Sequence, residues 1–306
     1  MIVASIDIGT NTIRLLIAKK EEPCRFDFLV QKSRIARLGE GFLPQKLLKA
    51  EAIERAVSIL KDYLRIIDDF RVDRTIAVAT SATREALNRD EFLERARSLG
   101  LDIRVIDGVE EAVLTHLGIV YFLNGRIRNK SWVAFDLGGG STEFMFSFDD
   151  RLKEAFSLPT GVVKLLEKHI LNDPPSKDEL LRIGDEFIGF LGEKVKDRRV
   201  DEIVANAGTT TTLAAIDLKL KEYRHDIVEG HLLKKSTVES ILKDMMSMSS
   251  EDRLRRYPIL EKGREDVIVI GAYIIKRVLE FFGKDYLITT NGSLREGVII
   301  REFCGG

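Results

Sequence analysis

The sequence is short of the residues that announce the commoner specialised chemistries. It has two cysteines in 306 residues. Cys24 and Cys304 lie at opposite ends without metal-type spacing, which argues against a thiolate metal centre and suits thiols in a reducing cytosol. Histidine occurs four times, at His116, His169, His225 and His231, again without ligand spacing. His225 and His231 fall in a polar loop and read as solvated. Glutamine appears only at Gln31 and Gln45, while Lys, Arg and Glu are abundant, a balance that leans towards a thermophile. The net charge of −1 gives no overall attraction to nucleic acid or to an anionic membrane. No apolar run approaches the roughly 20 residues of a membrane span. Met1-Ile-Val-Ala-Ser-Ile enters a strand without the basic n-region of a signal peptide. No aromatic–basic interleaving suggests base stacking. The expectation is a cytoplasmic protein without a nucleic-acid or membrane partner.

What the sequence does have is a glycine-rich turn between two apolar runs. The stretch Trp132 to Ser147 reads WVAFDLGGGSTEFMFS, the pattern of a β-hairpin. Asp136 falls where the first strand ends. Gly138, Gly139 and Gly140 carry no side chains, so their N–H groups can approach an anion closely. No Gly-Lys-Ser/Thr follows, and Glu143 stands where the third glycine of G-x-G-x-x-G would fall. The segment continues as strand rather than helix, which excludes a Rossmann turn.

The same device occurs from Ile6 to Ile17. A shift of 129 residues lays Asp7 on Asp136, Gly9 on Gly138, Thr12 on Ser141 and Arg14 on Glu143. Such a repeat fixes the architecture: two related halves, 1–125 and 126–306, meeting in the polar stretch Asn124 to Lys130, with a composite phosphate site between them. The alternative is two unrelated hairpins that share an Asp-Gly turn. Strands alternate with helices in both halves, so the fold class is α/β.

Other positions carry chemistry by context. Thr80-Ser-Ala-Thr-Arg-Glu-Ala86 reads as a helix start with a hydroxyl cap, and Arg84 in its first turn is disfavoured by the macrodipole unless an anion binds there. Asp90 is expected to cap the next helix. Asp107-Gly-Val-Glu-Glu-Ala112 puts Glu110 and Glu111 in a first helical turn. Adjacent helical residues point about 100° apart, so only one of them could face a site. Ala207-Gly-Thr-Thr-Thr-Thr212 follows a strand and forms a recurring kind of anion seat. Ser176–Glu179 and Ser236–Glu239 read as capping boxes. Arg253, Arg255, Arg256, Lys262 and Arg264 form a basic stretch; such runs are usually a solvated face, but this one could guide a polyanion.

Taken together, DIGTNTIRLLI, ATSATREA, VIDGVEEA, FDLGGGSTEF, NAGTTTT, GREDVI and NGSLREGV resemble, in that order, the exopolyphosphatase/guanosine pentaphosphate phosphohydrolase (Ppx/GppA) family. The resemblance spans essentially the whole chain. It implies two duplicated ribonuclease H-like domains of the actin, sugar kinase and heat-shock-70 superfamily with a cleft between them. It also implies magnesium dependence and hydrolysis of terminal phosphoanhydrides in polyphosphate or guanosine pentaphosphate. By motif match, Glu111 would be the catalytic carboxylate and Glu143 the other essential acid. Thr10, Asn11, Arg84, Gly138 to Ser141, Gly208 and Thr209 would contact phosphates. The sequence ends directly after the LREG helix, without the C-terminal helical region that longer members use for long-chain binding and dimerisation. A homodimer stays open at this point.

These parts fit phosphoryl transfer to water, which requires charge neutralisation and an aligned nucleophile. Magnesium would suit Asp136 with Glu143, and Glu111 would accept the proton of the attacking water. Two other readings compete: a polyphosphate–nucleotide phosphotransferase, and a non-catalytic alarmone- or nucleotide-binding switch. Retention of Glu111 and Glu143 together argues against the switch.

Overall fold

The computed structural model describes residues 1–304. Its first sheet grows from the N-terminal hairpin. Strands β1 (Ile2–Ile8) and β2 (Thr12–Glu21) pair antiparallel, and β3 (Arg25–Ile35) pairs with β2. Helix α1 (Ala50–Asp69) follows and buries Ile53, Val57, Leu60 and Ile67, the stripe that its 3.6-residue period predicts. Next come β4 (Arg74–Ala79), α2 (Ser81–Glu85), α3 (Arg89–Arg97), β5 (Ile103–Val105) and α4 (Gly108–Leu123). β4 and β5 add parallel to β1, which gives the order β3-β2-β1-β4-β5.

The plan then repeats. β6 (Ser131–Leu137), β7 (Thr142–Phe148) and β8 (Arg151–Leu158) form an antiparallel meander, followed by α5 (Val162–His169) and α6 (Lys177–Lys194). β9 (Glu202–Asn206) joins β6 in parallel and leads into α7 (Ala207–Asp217) and the short α8 (His225–Val228). Then come β10 (Leu232–Lys234), α9 (Lys235–Met245), α10 (Ser250–Arg256), α11 (Val267–Phe281), β11 (Tyr286–Thr289) and the last helix α12 (Leu294–Cys304). The second sheet has the order β10-β11-β9-β6-β7-β8. Apart from the added edge strand β10, it reproduces the first. Helix α11 is apolar nearly all round and is buried against α5, α6, α7 and α9.

The duplication read from the sequence holds at the level of single hydrogen bonds. Gly9 N–H donates to the Thr12 carbonyl at 3.0 Å, and Gly138 N–H to the Ser141 carbonyl at 3.1 Å. A register irregularity falls between Ile17 and Ala18 on β2 and between Phe146 and Ser147 on β7. Both pairs of positions are related by the same shift of 129.

Several expectations are corrected. The chain divides into Met1–Gly118 with Gly292–Gly306, and Ile119–Asn291, rather than into 1–125 and 126–306. The first crossing lies inside the continuous helix α4, so the polar stretch after it is a loop of the second unit. The C-terminal helix belongs to the first unit, where Leu294 and Val298 pack with Val78, Ile106 and Leu114. That docking also explains the cysteines. Cys24, in the turn between β2 and β3, is disulfide-bonded to Cys304, with Cα atoms 5.6 Å apart across 280 residues of sequence. The expectation of thiols suited to a reducing cytosol therefore loses its support. Among the described residues no helix is long and apolar enough to cross a membrane.

Capping is corrected in part as well. Helix α3 begins at Arg89 with Asn88 as its cap, so Asp90 lies inside the first turn. Helix α9 starts at Lys235, because β10 runs straight into it and leaves Ser236 inside the helix. The Ser176–Glu179 box forms as expected. Burial alone would push the Glu179 pKa up. Hydrogen bonds from the Leu171 and Ser176 backbone N–H groups, and from the Ser176 and Asn172 side chains, bring it down to about 2.

A lowered carboxylate pKa stabilises the fold above the unfolded value and loses that contribution as pH falls through the folded value. Glu179→Gln should cost on the order of 1–2 kcal/mol at neutral pH. The gap to the parent should close as pH falls from the ordinary glutamate value of 4.5 to about 2, measured by denaturant unfolding across that range. The cysteine pairing has its own check. Denatured without reductant, the protein should present no thiol to a thiol-specific reagent; two reactive thiols would contradict the pairing.

Candidate active site

In the first unit the site is built at the strand ends of β1 and β4. Asp7 is buried opposite Arg14 in the β1–β2 ladder and accepts from its Nη1 at 3.1 Å. The turn between them is held by backbone bonds: the Thr10 carbonyl accepts from Gly39 N–H, and the Asn11 carbonyl from Ala36 and Arg37. Both Thr10 and Asn11 are buried.

After β4 the chain enters α2, which is only five residues long. Arg84 therefore sits in its last turn, not its first, and the macrodipole objection falls away. Arg84 Nη1 donates to the Ile106 carbonyl at 2.9 Å and to Glu111 Oε2 at 3.0 Å. Asp107 caps α4 by accepting from the N–H groups of Val109 and Glu110. The two adjacent acids part company there. Glu110 turns outward to pair with Arg104, whereas Glu111 is 9% exposed and faces Arg84. Beside them lies an open hollow of about 360 Å³ lined by Arg84, Arg89, Asp90, Leu93, Val105, Ile106 and Asp107.

In the second unit a row of polar side chains runs across the sheet. Asn206 on β9 is level with Asp136 on β6, Asp136 is opposite Glu143 on β7, and Glu143 is opposite Ser157 on β8. Residues opposed in a ladder project from the same face. Asn206 Nδ2 donates to Asp136 Oδ2 at 2.9 Å, and Ser157 Oγ donates to Glu143 Oε1 at 2.7 Å. Two like charges directly opposed repel, and these two neutral donors offset part of that cost. The Oδ1 of Asn206 is buried and has no partner among the described residues. Neither Asn206 nor Ser157 stood out in the sequence. Only the strand register shows their place in the row.

The glycine loop is tied to α5 from behind. The Gly138 carbonyl accepts from Val162 N–H at 3.0 Å, and the Gly139 carbonyl from Val163 at 2.8 Å. With those carbonyls engaged by the start of a helix, the loop is held rigidly while carrying a dense run of backbone donors. The close approach needs Gly161, where a Cβ would lie 2.5 Å from the Gly138 oxygen.

Helix α7 starts directly at Ala207, so the Gly/Thr run forms its first turn and does not precede it. Thr209 and Thr210 are buried there. Gly208 has a steric reason: a Cβ would fall 1.8 Å from Nη1 of Arg264. The Arg264 guanidinium thus lies over the α7 start, and its side chain is 12% exposed. The basic stretch read as a solvated face is therefore corrected at two of its members, since Arg253 is fully buried. The loop histidines are also engaged, His225 with Asn291 at 3.2 Å and His231 with Asp217 at 2.8 Å.

Known proteins resemble this chain in sequence and fold. The family model for Ppx/GppA phosphatases matches residues 16–304. Exopolyphosphatase 2 of Mycobacterium tuberculosis is 30% identical over 97% of both chains. The bifunctional 3-dehydroquinate synthase/phosphatase of Fusobacterium nucleatum is 32% identical over 96% of this chain, which spans only 46% of that protein's length. The crystal structure of the Aquifex aeolicus Ppx/GppA family member is 37% identical and superposes with a TM-score of 0.82, covering 99% of this chain and 97% of the other. The duplicated α/β fold, the ordered motifs and these likenesses agree: the chain belongs to the Ppx/GppA phosphatase family.

Proposed function

We propose that the chain is a phosphoanhydride hydrolase, using Mg²⁺ and water to release terminal phosphate from inorganic polyphosphate, guanosine pentaphosphate or both. The observation that carries this reading is the Arg84–Glu111 pair, a buried carboxylate held 3.0 Å from a guanidinium. A carboxylate so oriented is placed to take a proton from water. The Arg84 fork presents five N–H donors, of which only Nη1 is engaged in the bonds described above, and it suits phosphate oxygens. Within the second unit, the amides of Gly138 to Ser141 offer donors of their own, and the start of α7 with Arg264 carries positive potential. In this reading Glu111 acts as the base.

The residues present fit a hard cation. Asp136 and Glu143 offer opposed carboxylates, and the partnerless Asn206 Oδ1 is a neutral oxygen beside them. Among the described residues no group of three or more His, Cys, Asp and Glu could hold a metal ion. Magnesium keeps several waters and is commonly shared between one or two carboxylates and substrate phosphates. When bound, the ion would neutralise charge on the transferring phosphoryl group.

The test is a side-by-side assay of free phosphate from polyphosphate and guanosine pentaphosphate, with magnesium and then with a chelator. Adding ADP distinguishes hydrolysis from transfer, since transfer would yield ATP in place of phosphate. Tight binding of either substrate without any turnover would overturn the hydrolase reading.

Four variants probe the roles. Glu111→Ala should lower kcat by about 10²–10⁴ while leaving fold and polyphosphate binding intact, because a base acts in the transition state. Glu110→Ala should be mild, and the reverse pattern would exchange the two assignments. Arg84→Lys keeps the charge but loses the planar fork, so it should raise KM and lower kcat together. Arg84→Ala should be worse on both, since it also leaves Glu111 without its partner. Parent-like kinetics for Arg84→Ala would remove Arg84 from substrate binding.

A further inference from the structure

Arg253 is among the largest fully buried side chains of the protein. A charged group is not buried without a reason, because desolvation costs several kcal/mol unless paired. Its contacts span four segments of the second unit. Nε donates to the Met245 carbonyl at 2.9 Å, at the end of α9. Nη1 donates to Ser250 Oγ at 3.2 Å and to the Glu265 carbonyl at 3.0 Å, and it pairs with Asp173 Oδ1 at 3.1 Å. Asp173 is in turn fixed by accepting from Ser250 N–H at 2.8 Å. Nη2 has no partner among the described residues, so the guanidinium is not there to satisfy every donor. It is there to hold particular acceptors.

The Glu265 carbonyl is the acceptor that matters. It belongs to the residue after Arg264, whose guanidinium rests over Gly208 at the start of α7. Around it, Glu265 accepts from Gly263 N–H, Arg264 pairs with Glu261, and Asp266 caps α11 through Val267 N–H. These contacts are local, within the segment 261–267. Arg253 ties that segment to α9, α10 and the Asp173 turn.

We propose that Arg253 is a positioning residue: by gripping the Glu265 carbonyl from below, it sets the Arg264 guanidinium on the start of α7, where a substrate phosphate binds. This rests on the phosphatase reading given above. Arg253 itself touches no substrate. Its effect is therefore on substrate affinity, transmitted wholly through Arg264.

The experiment compares Arg253→Met, Arg264→Met and the double variant, each checked first for a folded thermal transition. Methionine preserves much of the buried volume without the charge, an exchange that buried ion networks often tolerate. Turnover of polyphosphate and calorimetric binding of inorganic tripolyphosphate are read together. Arg253→Met should weaken tripolyphosphate binding and raise KM by about tenfold, with kcat within about threefold, as expected for loss of a charge-assisted contact. The double variant should be no worse than Arg264→Met alone, within about twofold, because one residue acts through the other. Additive losses, or parent-like binding by Arg253→Met, would overturn the proposal. Should Arg253→Met fail to fold, Asp173→Asn takes its place, with a smaller loss in the same direction and the same lack of additivity; parent-like binding there overturns it too. A parent protein that neither binds tripolyphosphate nor releases phosphate brings down both readings, whereas normal parent activity with a silent Arg253 variant brings down this one alone.

Discussion

The placing of Asp7 in the first unit and of Asp136 and Glu143 in the second depends on the register of a β-hairpin in each. In a ladder with a side-chain period of 2, a slip of one residue would turn Asp7 and Asp136 to the opposite faces of their sheets. The Gly9–Thr12 and Gly138–Ser141 turn bonds set that register, and the apolar residues on either side hold it. The two hairpins then diverge at one matched position. Arg14 neutralises Asp7 within the first, whereas Glu143 stands against Asp136 in the second. One copy carries an acid–base pair at this position and the other a pair of carboxylates. A duplicated scaffold has thereby acquired a charge asymmetry through a single exchange of side chain.

The backbone around the glycine loop and the α7 start carries strain and crowding of the kind found at functional sites. Ala207 adopts φ of 75° where β9 turns into α7, a region that costs a residue with a Cβ roughly 1–2 kcal/mol. Close approaches at Gly161 and Gly208 add to the pattern. The structure tolerates them because α5 and the segment before α11 hold these turns from outside.

Much of this was legible in the sequence. The repeat, the α/β class, the glycine loop and the Ser176 box rest on local patterns that local chemistry enforces, whereas the choice of Glu111, Glu143 and Arg84 comes from the resemblance to the family. What escaped depends on neighbours distant in sequence. Ser157 and Asn206 enter the polar row only through strand pairing. The burial of Arg253 follows from four segments closing around it, although its neighbours Arg255 and Arg256 are exposed as the charge run suggested. The cysteine pairing and the unit boundary were missed for one shared reason: 15 residues at the C-terminal end belong with the first unit.

That last arrangement has a consequence for the order in which the protein can be made. Residues 1–118 emerge from the ribosome before the second unit, yet the helix that covers Val78, Ile106 and Leu114 is translated after it. Until it arrives, the Ser5 hydroxyl lacks the Arg295 carbonyl it donates to, and Gln31 lacks the Arg295 guanidinium. The second unit is continuous in sequence and can close its own core as it leaves the exit tunnel. The half that is synthesised first is therefore the half that finishes folding last.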